Sequence, residues 1–132
     1  MPVNKVEYWI NLADYDLKAA EVMLTGKMFL YVGFMCHQVI EKMLKSYYVY
    51  SQNPTPPAIH NLLMLATESG ISDLLSDDQK KLLSQLMPLN IQARYPTDKE
   101  KILKSLTYEK CHDLIDRTKE LSQWIKTQLL TK

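Results

Sequence analysis

Residues 29–51 read FLYVGFMCHQVIEKMLKSYYVYS, and this stretch decides the fold. Its first half, Phe29 to Cys36, is apolar on nearly every side, which is typical of a helix that several neighbours bury. Gly33 interrupts the apolar run at a cost of about 1 kcal/mol relative to alanine, so we expect a neighbouring helix to approach it closely. The sequence therefore predicts a central helix over Phe29–Ser51 against which the other helices pack.

A polar stripe begins in the middle of this central helix. His37, Glu41 and Lys45 recur at four-residue intervals and share one face, with Gln38 and Lys42 beside them. The simplest interpretation is a solvated face with i,i+4 pairs worth a few tenths of a kcal/mol each. The alternative is that charges on a central helix are paired, line a cleft or meet a partner, because unpaired burial is costly. The residues alone leave both interpretations open.

The rest of the chain also has a helical pattern. Only 3 Gly occur, too few for the turns of a sheet-rich domain, and the 6 Pro lie outside most of the periodic segments. Apolar residues at helical spacing predict four further helices, over residues 5–25, 58–69, 76–93 and 107–130. We therefore expect an all-α, antiparallel up-and-down bundle of about five helices in a single domain spanning residues 1–132.

Local signals mark the ends of these helices. Asn4 is placed to cap the first helix, and Ser76 with Gln79 forms a capping box for the fourth. Pro88 is expected to kink or split that fourth helix, because proline removes a backbone donor. Residues 94–100 are expected to form a loop, in which Thr97 or Asp98 begins an extra turn before the final helix.

Charge and composition exclude several functional classes. A net charge of +1 gives no global field for nucleic acid or a membrane, and 46% hydrophobic residues are typical of a globular protein. No apolar run approaches the roughly 20 residues that cross a bilayer, and no signal peptide is visible, so we expect a cytoplasmic protein. Cys36 and Cys111 are interpreted as buried reduced thiols, and no spacing predicts a metal or a cofactor.

Arg94 and Tyr95 are the strongest binding candidates by residue type. An arginine fork suits phosphate, and a tyrosine offers a stacking or hydrogen-bonding surface. The structural alternative is that Arg94 pairs with an acidic residue while Tyr95 packs on the bundle. The lysines that follow Arg94 are interleaved with Asp98 and Glu100, so the local charge suits one phosphate or an acidic partner better than an RNA duplex.

The histidines have two interpretations of the same kind. His37 and His60 are either ordinary interhelical or loop-bracing side chains, or hydrogen-bonding groups that line a cleft. The stripe residues Glu41, Lys42 and Lys45 join them as binding candidates. The residues show no nucleophile beside a base, no glycine-rich phosphate loop and no paired carboxylates, so they predict no catalytic residues and indicate no enzyme.

Three segments, taken in order, resemble the signatures of one family. Residues 34–45, FMCHQVIEKMLK, resemble the second-helix signature of HEPN domains. Residues 57–62, PAIHNL, are similar to the Pro-x-x-His-x-Leu segment that opens the third helix of that family. Residues 93–96, ARYP, resemble the Arg-Tyr-Pro loop before its last helix, so the resemblance covers nearly the whole chain in order.

The resemblance implies a small helical bundle, similar to the helical domain of kanamycin nucleotidyltransferase and often dimeric. Prokaryotic members are commonly encoded beside a minimal nucleotidyltransferase and form a complex with it. In some toxin–antitoxin pairs the HEPN partner is a metal-independent RNase, whereas other members have been proposed to bind nucleotides without chemistry.

One departure from the family decides which role we expect. The nuclease members carry Arg-x4–6-His, but here Lys99, Glu100 and Lys101 occupy the histidine positions after Arg94, and the next histidine is His112. We therefore expect a non-catalytic HEPN-type module that binds a nucleotidyltransferase partner, a nucleotide, or both. The alternatives are an RNase toxin with an atypical site around Arg94, using His60 or His112 as its base, and a structural homodimeric adaptor.

Overall fold

The computed structural model describes residues 5–52 and 55–130, apart from the side chain of Ala93, and it confirms an all-α bundle. Six α-helices follow one another: α1 Lys5–Thr25, α2 Phe29–Ser51, α3 Leu62–Ser69, α4 Asp77–Leu86, α5 Pro96–Ser105 and α6 Tyr108–Leu129. Short 3-10 turns cover Ser72–Leu74, Met87–Leu89 and Ile91–Ala93. The described ranges contain no strand, and the predicted cap Asn4 lies outside them.

Helix α2 is the centre of the bundle, as its composition predicts. A three-residue link folds α1 back along α2 as an antiparallel hairpin, and α6 packs against both of these helices. Helices α3, α4 and α5 also contact α2. Its core-facing side chains are fully buried, among them Val32, Cys36, Val39, Ile40, Met43 and Leu44. Removing so much apolar surface from water is the main driving force for this arrangement.

Another segment of the chain approaches α2 closely at Gly33. A Cβ atom at this position would lie 3.1 Å from Cδ1 of Leu89. The predicted close approach therefore exists, but the neighbour is the 3-10 turn after α4 rather than a helix. Because that turn begins the connection that carries Asn90 and Arg94, Gly33 helps to set where the candidate binding residues lie.

Two predicted boundaries are wrong, and each has a local cause. Helix α3 begins at Leu62 rather than residue 58, because Asn61 is extended and its Oδ1 accepts from the backbone N–H of Met64 at 3.0 Å. The predicted loop over residues 94–100 gives way to α5 at Pro96. A proline is well placed at the first position of a helix, where its missing N–H would have no intrahelical partner.

The fourth helix is split as Pro88 predicts. Helix α4 begins with the capping box, in which Ser76 Oγ accepts from Gln79 N–H at 3.1 Å and Gln79 Oε1 accepts from Ser76 N–H at 2.8 Å. It ends at Leu86, and Pro88 lies in the following 3-10 turn. The connection from α4 to α5 is therefore a chain of short turns, which carries Asn90 and Arg94.

Two smaller expectations concern thiols and membranes. Cys36 and Cys111 are both free and buried, as their apolar neighbours predict. Burial raises the pKa of the Cys36 thiol to about 12, so it is protonated and unreactive at neutral pH. No helix within the described ranges is long and apolar enough to span a bilayer.

Candidate functional site

A charged cluster lies buried on α2 where the polar stripe was predicted. Glu41 is 4% exposed and Lys45 is 7% exposed, so the solvated-face interpretation is wrong for both. Lys45 Nζ donates to Glu41 Oε2 at 3.1 Å, and it lies 5.5 Å from the ring centre of Trp9 on α1. The two charges therefore compensate each other inside the bundle, with an aromatic face completing the surroundings of the ammonium group.

His60 connects this buried pair to the surface. It lies in the segment before α3, and its Nδ1 is 3.1 Å from Oε1 and 3.3 Å from Oε2 of Glu41. Because an ionised carboxylate only accepts, Nδ1 carries the proton, and in the neutral ring Nε2 keeps the lone pair. The side chain of His60 is 64% exposed, so an imidazole that Glu41 orients stands at the protein surface.

His37 lies deeper, one helical turn before Glu41. Its ring is 1% exposed, with Nδ1 3.3 Å from Gln38 Oε1 and 3.9 Å from Glu41 Oε1. Burial lowers the pKa of His37 below its ordinary value of 6.5, although contacts with Gln38, Glu41 and the His60 backbone act in the opposite direction. His37 is therefore a neutral, buried hydrogen-bonding residue at neutral pH.

This burial predicts a pH-dependent stability. Unfolded His37 takes up a proton near pH 6.5, whereas the folded ring does so only at lower pH. His37 therefore does not reduce the free energy of unfolding above pH 6.5. Below pH 6.5 the free energy of unfolding falls as the pH drops toward the folded-state pKa of His37. Urea unfolding at about pH 7.5 and at about pH 5 measures this loss of stability. The loss should be smaller in His37→Gln than in the wild type. In the control variant His112→Gln, which changes an exposed histidine, the loss should be unchanged. An equal loss in His37→Gln would show that other groups cause it.

Lys42 does not pair with the other residues of the stripe, and its side chain binds a residue of α1. Its ammonium group pairs with the carboxylate of Asp16 on α1, and both side chains are largely buried. The five stripe residues therefore do not act together. One network around Glu41 contains His37, Lys45 and His60. Lys42 instead connects α2 to α1 through its ion pair with Asp16.

A cleft of about 220 Å³ opens beside this network. Its lining residues come from the start of α3 and from the α4–α5 connection: His60, Asn61, Met87, Asn90 and Arg94. His60 and Arg94, which lie far apart in the sequence, are thus brought to the same cleft. Two asparagines at this cleft, Asn61 and Asn90, were not predicted as site residues, although the capping position of Asn61 is visible in the sequence.

The guanidinium of Arg94 holds the connection in place. Nε donates to the carbonyl oxygen of Pro88 at 3.2 Å, and Nη2 lies 3.4 Å from that of Met87. No carboxylate in the described ranges lies within ion-pair distance of this side chain, so the predicted acidic partner of Arg94 is absent there. Tyr95 is 77% exposed next to Arg94 rather than packed on the bundle, and it does not line the cleft.

The electrostatics of the cleft follow from these contacts. Glu41 and Lys45 balance each other, His37 is neutral, and Arg94 carries a positive charge at the rim. Such a site suits one anionic group that accepts hydrogen bonds from a guanidinium and amide groups. His112 is not part of it, because it lies on α6 with its Nδ1 3.4 Å from Asp116 and does not line the cleft.

Comparisons with known proteins agree with this architecture. A family model described as the HEPN domain matches residues 6–128. This chain belongs to the HEPN family. The crystal structure of an archaeal HEPN homologue, 20% identical, has a TM-score of 0.66 and covers 94% of this chain and 97% of that one. No match was found among the curated proteins.

Membership of the HEPN family confirms the resemblance seen in the three sequence segments. The archaeal homologue shares the fold, and at 20% identity the likeness extends to the fold alone. In the present HEPN domain, the second-helix segment supplies the buried network, the Pro-x-x-His segment supplies His60, and the Arg-Tyr-Pro segment supplies Arg94. Two of the three family-like segments therefore line one cleft, and the second-helix segment is connected to it through the contact of Glu41 with His60.

Proposed function

We propose that this chain is a non-catalytic HEPN module that binds a nucleotide, alone or together with a nucleotidyltransferase partner, through the cleft between His60 and Arg94. One observation supports this proposal above the others. Arg94 presents a positive charge at the cleft rim, and no carboxylate within the described ranges balances it.

The size of the cleft defines how a nucleotide would bind. Pockets that enclose a small molecule usually measure about 300–1,000 Å³, so a cleft of about 220 Å³ accepts one part of a nucleotide rather than the whole. The phosphate fits best beside Arg94, where the guanidinium donates to its oxygens. The base would then remain outside the cleft, where the exposed ring of Tyr95 offers a stacking surface.

Nucleotide binding is tested by thermal unfolding in the presence of nucleoside mono-, di- and triphosphates. At a ligand concentration of about 100 Kd, we expect about 2.7 kcal/mol of stabilisation. Arg94→Gln should lose most of this, because it removes the charge and the donor fork. Arg94→Lys should retain part of it, since only the charge is kept.

The matched control for Arg94 is Arg117→Gln. Arg117 lies on α6, where its Nη1 donates to Gln85 Oε1 at 2.6 Å, away from the cleft. This variant should respond to nucleotides as the wild type does. If no nucleotide stabilises the wild-type protein, or if Arg94→Gln and Arg117→Gln lose the response equally, the cleft is not a nucleotide site.

The nucleotidyltransferase part of the proposal has a separate test. It is supported by family membership, since the resemblance to prokaryotic HEPN domains implies such a partner. Coexpression with the product of the neighbouring gene should give a complex that survives purification. Failure to form any complex would remove the partner role and leave nucleotide binding as the function.

A second function has one specific observation in its favour. His60 is oriented by a buried carboxylate and shares a cleft with the cationic side chain of Arg94. These are the groups that a metal-independent RNase needs to deprotonate a ribose hydroxyl and hold a phosphate. Incubation of RNA with the protein and a chelator decides between the functions: cleavage lost in His60→Gln supports the nuclease, and an inactive wild type excludes it.

A further inference from the structure

A cavity separate from the cleft of His60 and Arg94 lies beside the Met87–Leu89 turn. It measures about 350 Å³ and is formed by the end of α4, the end of α5 and the first half of α6. Met87 lines the cleft, Leu89 lines this cavity, and the two share no lining residue. A volume of this size is within the range of sites that enclose a small molecule.

The cavity has an apolar floor and a polar mouth. Leu89, Leu106 and Leu114 form the floor, and each of them is less than 10% exposed. Polar lining residues such as Gln85 and Lys110 are exposed and surround the mouth. A ligand that fills the cavity therefore needs a short apolar body and one polar end.

Arg117 offers hydrogen-bond donors to the polar end of such a ligand. Its Nη1 donates to Gln85 Oε1 at 2.6 Å, whereas Nε and Nη2 have no partner among the residues that the structure describes. These two nitrogens form one edge of the guanidinium fork, and their spacing matches the two oxygens of a carboxylate. The side chain is 32% exposed, so water and salt screen its charge only in part.

The charged side chains at the mouth leave an excess of positive charge. Lys110 Nζ donates to the carbonyl oxygen of Ser105 at 3.1 Å and forms no ion pair in the described ranges. Asp113 supplies the carboxylate of this lining, 3.8 Å from Nη1 of Arg117 and thus beyond hydrogen-bond distance. Two cations against one carboxylate favour a ligand with a single negative charge. A phosphate monoester carries about −1.5 to −2 at pH 7 and fits less well.

The neighbouring surface does not compete for this anion. Arg117 also borders a depression that is lined by Asp78 and Glu120. Neither carboxylate has an ion-pair partner within the described part of the chain. Two uncompensated carboxylates repel an anion, so a ligand that binds Arg117 is directed into the cavity with the leucine floor.

We propose that this cavity binds a short-chain aliphatic monocarboxylate. The carboxylate accepts from Nε and Nη2 of Arg117 beside Lys110, and the aliphatic chain lies on the three leucines of the floor. This site does not depend on the proposed nucleotide binding, because neither His60 nor Arg94 lines it.

Titration of the full chain with hexanoate, followed by ¹H–¹⁵N NMR, tests the binding. Saturable shift changes should occur at Leu89, Leu106 and Leu114. From acetate through butyrate to hexanoate, the affinity should rise about fourfold for each methylene that enters the cavity. Hexanamide, which is neutral, should bind about tenfold more weakly than hexanoate, because hydrogen bonds to a charged group are the stronger ones. An affinity that ignores chain length, equal binding of the amide, or the absence of saturable shifts would overturn the proposal.

Two charge-removing variants locate the carboxylate. Arg117→Gln should weaken hexanoate binding about tenfold or more, while its response to nucleotides stays that of the wild type. Lys101→Gln removes the same charge from an exposed position on α5 that does not line the cavity, so it should bind hexanoate normally. Unchanged hexanoate binding in Arg117→Gln, or an equal loss in both variants, would show that the carboxylate does not bind at this fork. A wild type that binds hexanoate but no nucleotide would remove the nucleotide site and leave this one.

Discussion

Replacing Glu41 by alanine should destabilise the fold by about 3–5 kcal/mol, which is the usual cost of removing one partner of a buried ion pair. Glu41 accepts from Lys45 and from His60, and the carboxylate and the ammonium group are both buried. Without the carboxylate, the ammonium of Lys45 stays in the bundle with only the Trp9 face beside it. His60 also loses the contact that orients it, so the cleft is disturbed as well.

Urea unfolding measures this loss directly. Glu41→Gln should fall between the wild type and Glu41→Ala, since the amide oxygen still accepts a hydrogen bond but carries no charge. Glu68→Ala on α3 is the matched control, because Glu68 is exposed and such changes stay within about 0.5 kcal/mol. A loss below about 1 kcal/mol in Glu41→Ala would mean that Lys45 reaches water easily and that the network is not a buried one.

Replacing Gly33 by leucine should have the second large effect. A Cβ at this position already meets Leu89 at 3.1 Å, so a branched side chain must push the Met87–Leu89 turn away from α2. Overpacking of this kind costs about 1–3 kcal/mol. Because Asn90 follows that turn directly, and Arg94 holds its carbonyl groups, the cleft should also lose its shape. Nucleotide stabilisation should therefore fall together with the free energy of unfolding.

Gly33→Ala separates crowding from helix propensity. Its single methyl group meets a flexible end of Leu89, and alanine gains about 1 kcal/mol of helix propensity over glycine. We expect Gly33→Ala to be close to the wild type in stability and in nucleotide response, as measured by urea unfolding and thermal shift. A Gly33→Leu protein that is as stable as the wild type would show that the turn packs loosely on α2.

The parts of the fold that local periodicity controls were predicted from the sequence. The predicted bounds of α1 and α2 agree with those of the structure, because the apolar positions recur clearly in both helices. The wrong boundaries lie where capping residues compete with periodicity. Two residues mark the true boundaries. Asn61 caps α3, and Pro96 occupies the first position of α5.

The candidate site was predicted only in part, because its geometry depends on contacts between distant segments. The stripe on α2 identified Glu41, but not that His60, 19 residues further on, would bind it. Burial of Lys45 likewise depends on where α1 places Trp9, which no local pattern states. Arg94 was singled out by its residue type, and the structure places it at the cleft. Its carbonyl contacts depend on how Pro88 splits α4 from the connection.

The cleft between His60 and Arg94 is the central claim, and a nucleotide titration followed by ¹H–¹⁵N NMR tests it most directly. We predict that the largest shift changes will occur at the cleft residues His60, Asn61, Asn90 and Arg94, and that Arg94→Gln will remove them. Changes concentrated elsewhere, for example at Lys80 and Lys81 on the exposed side of α4, would contradict the assignment of the site.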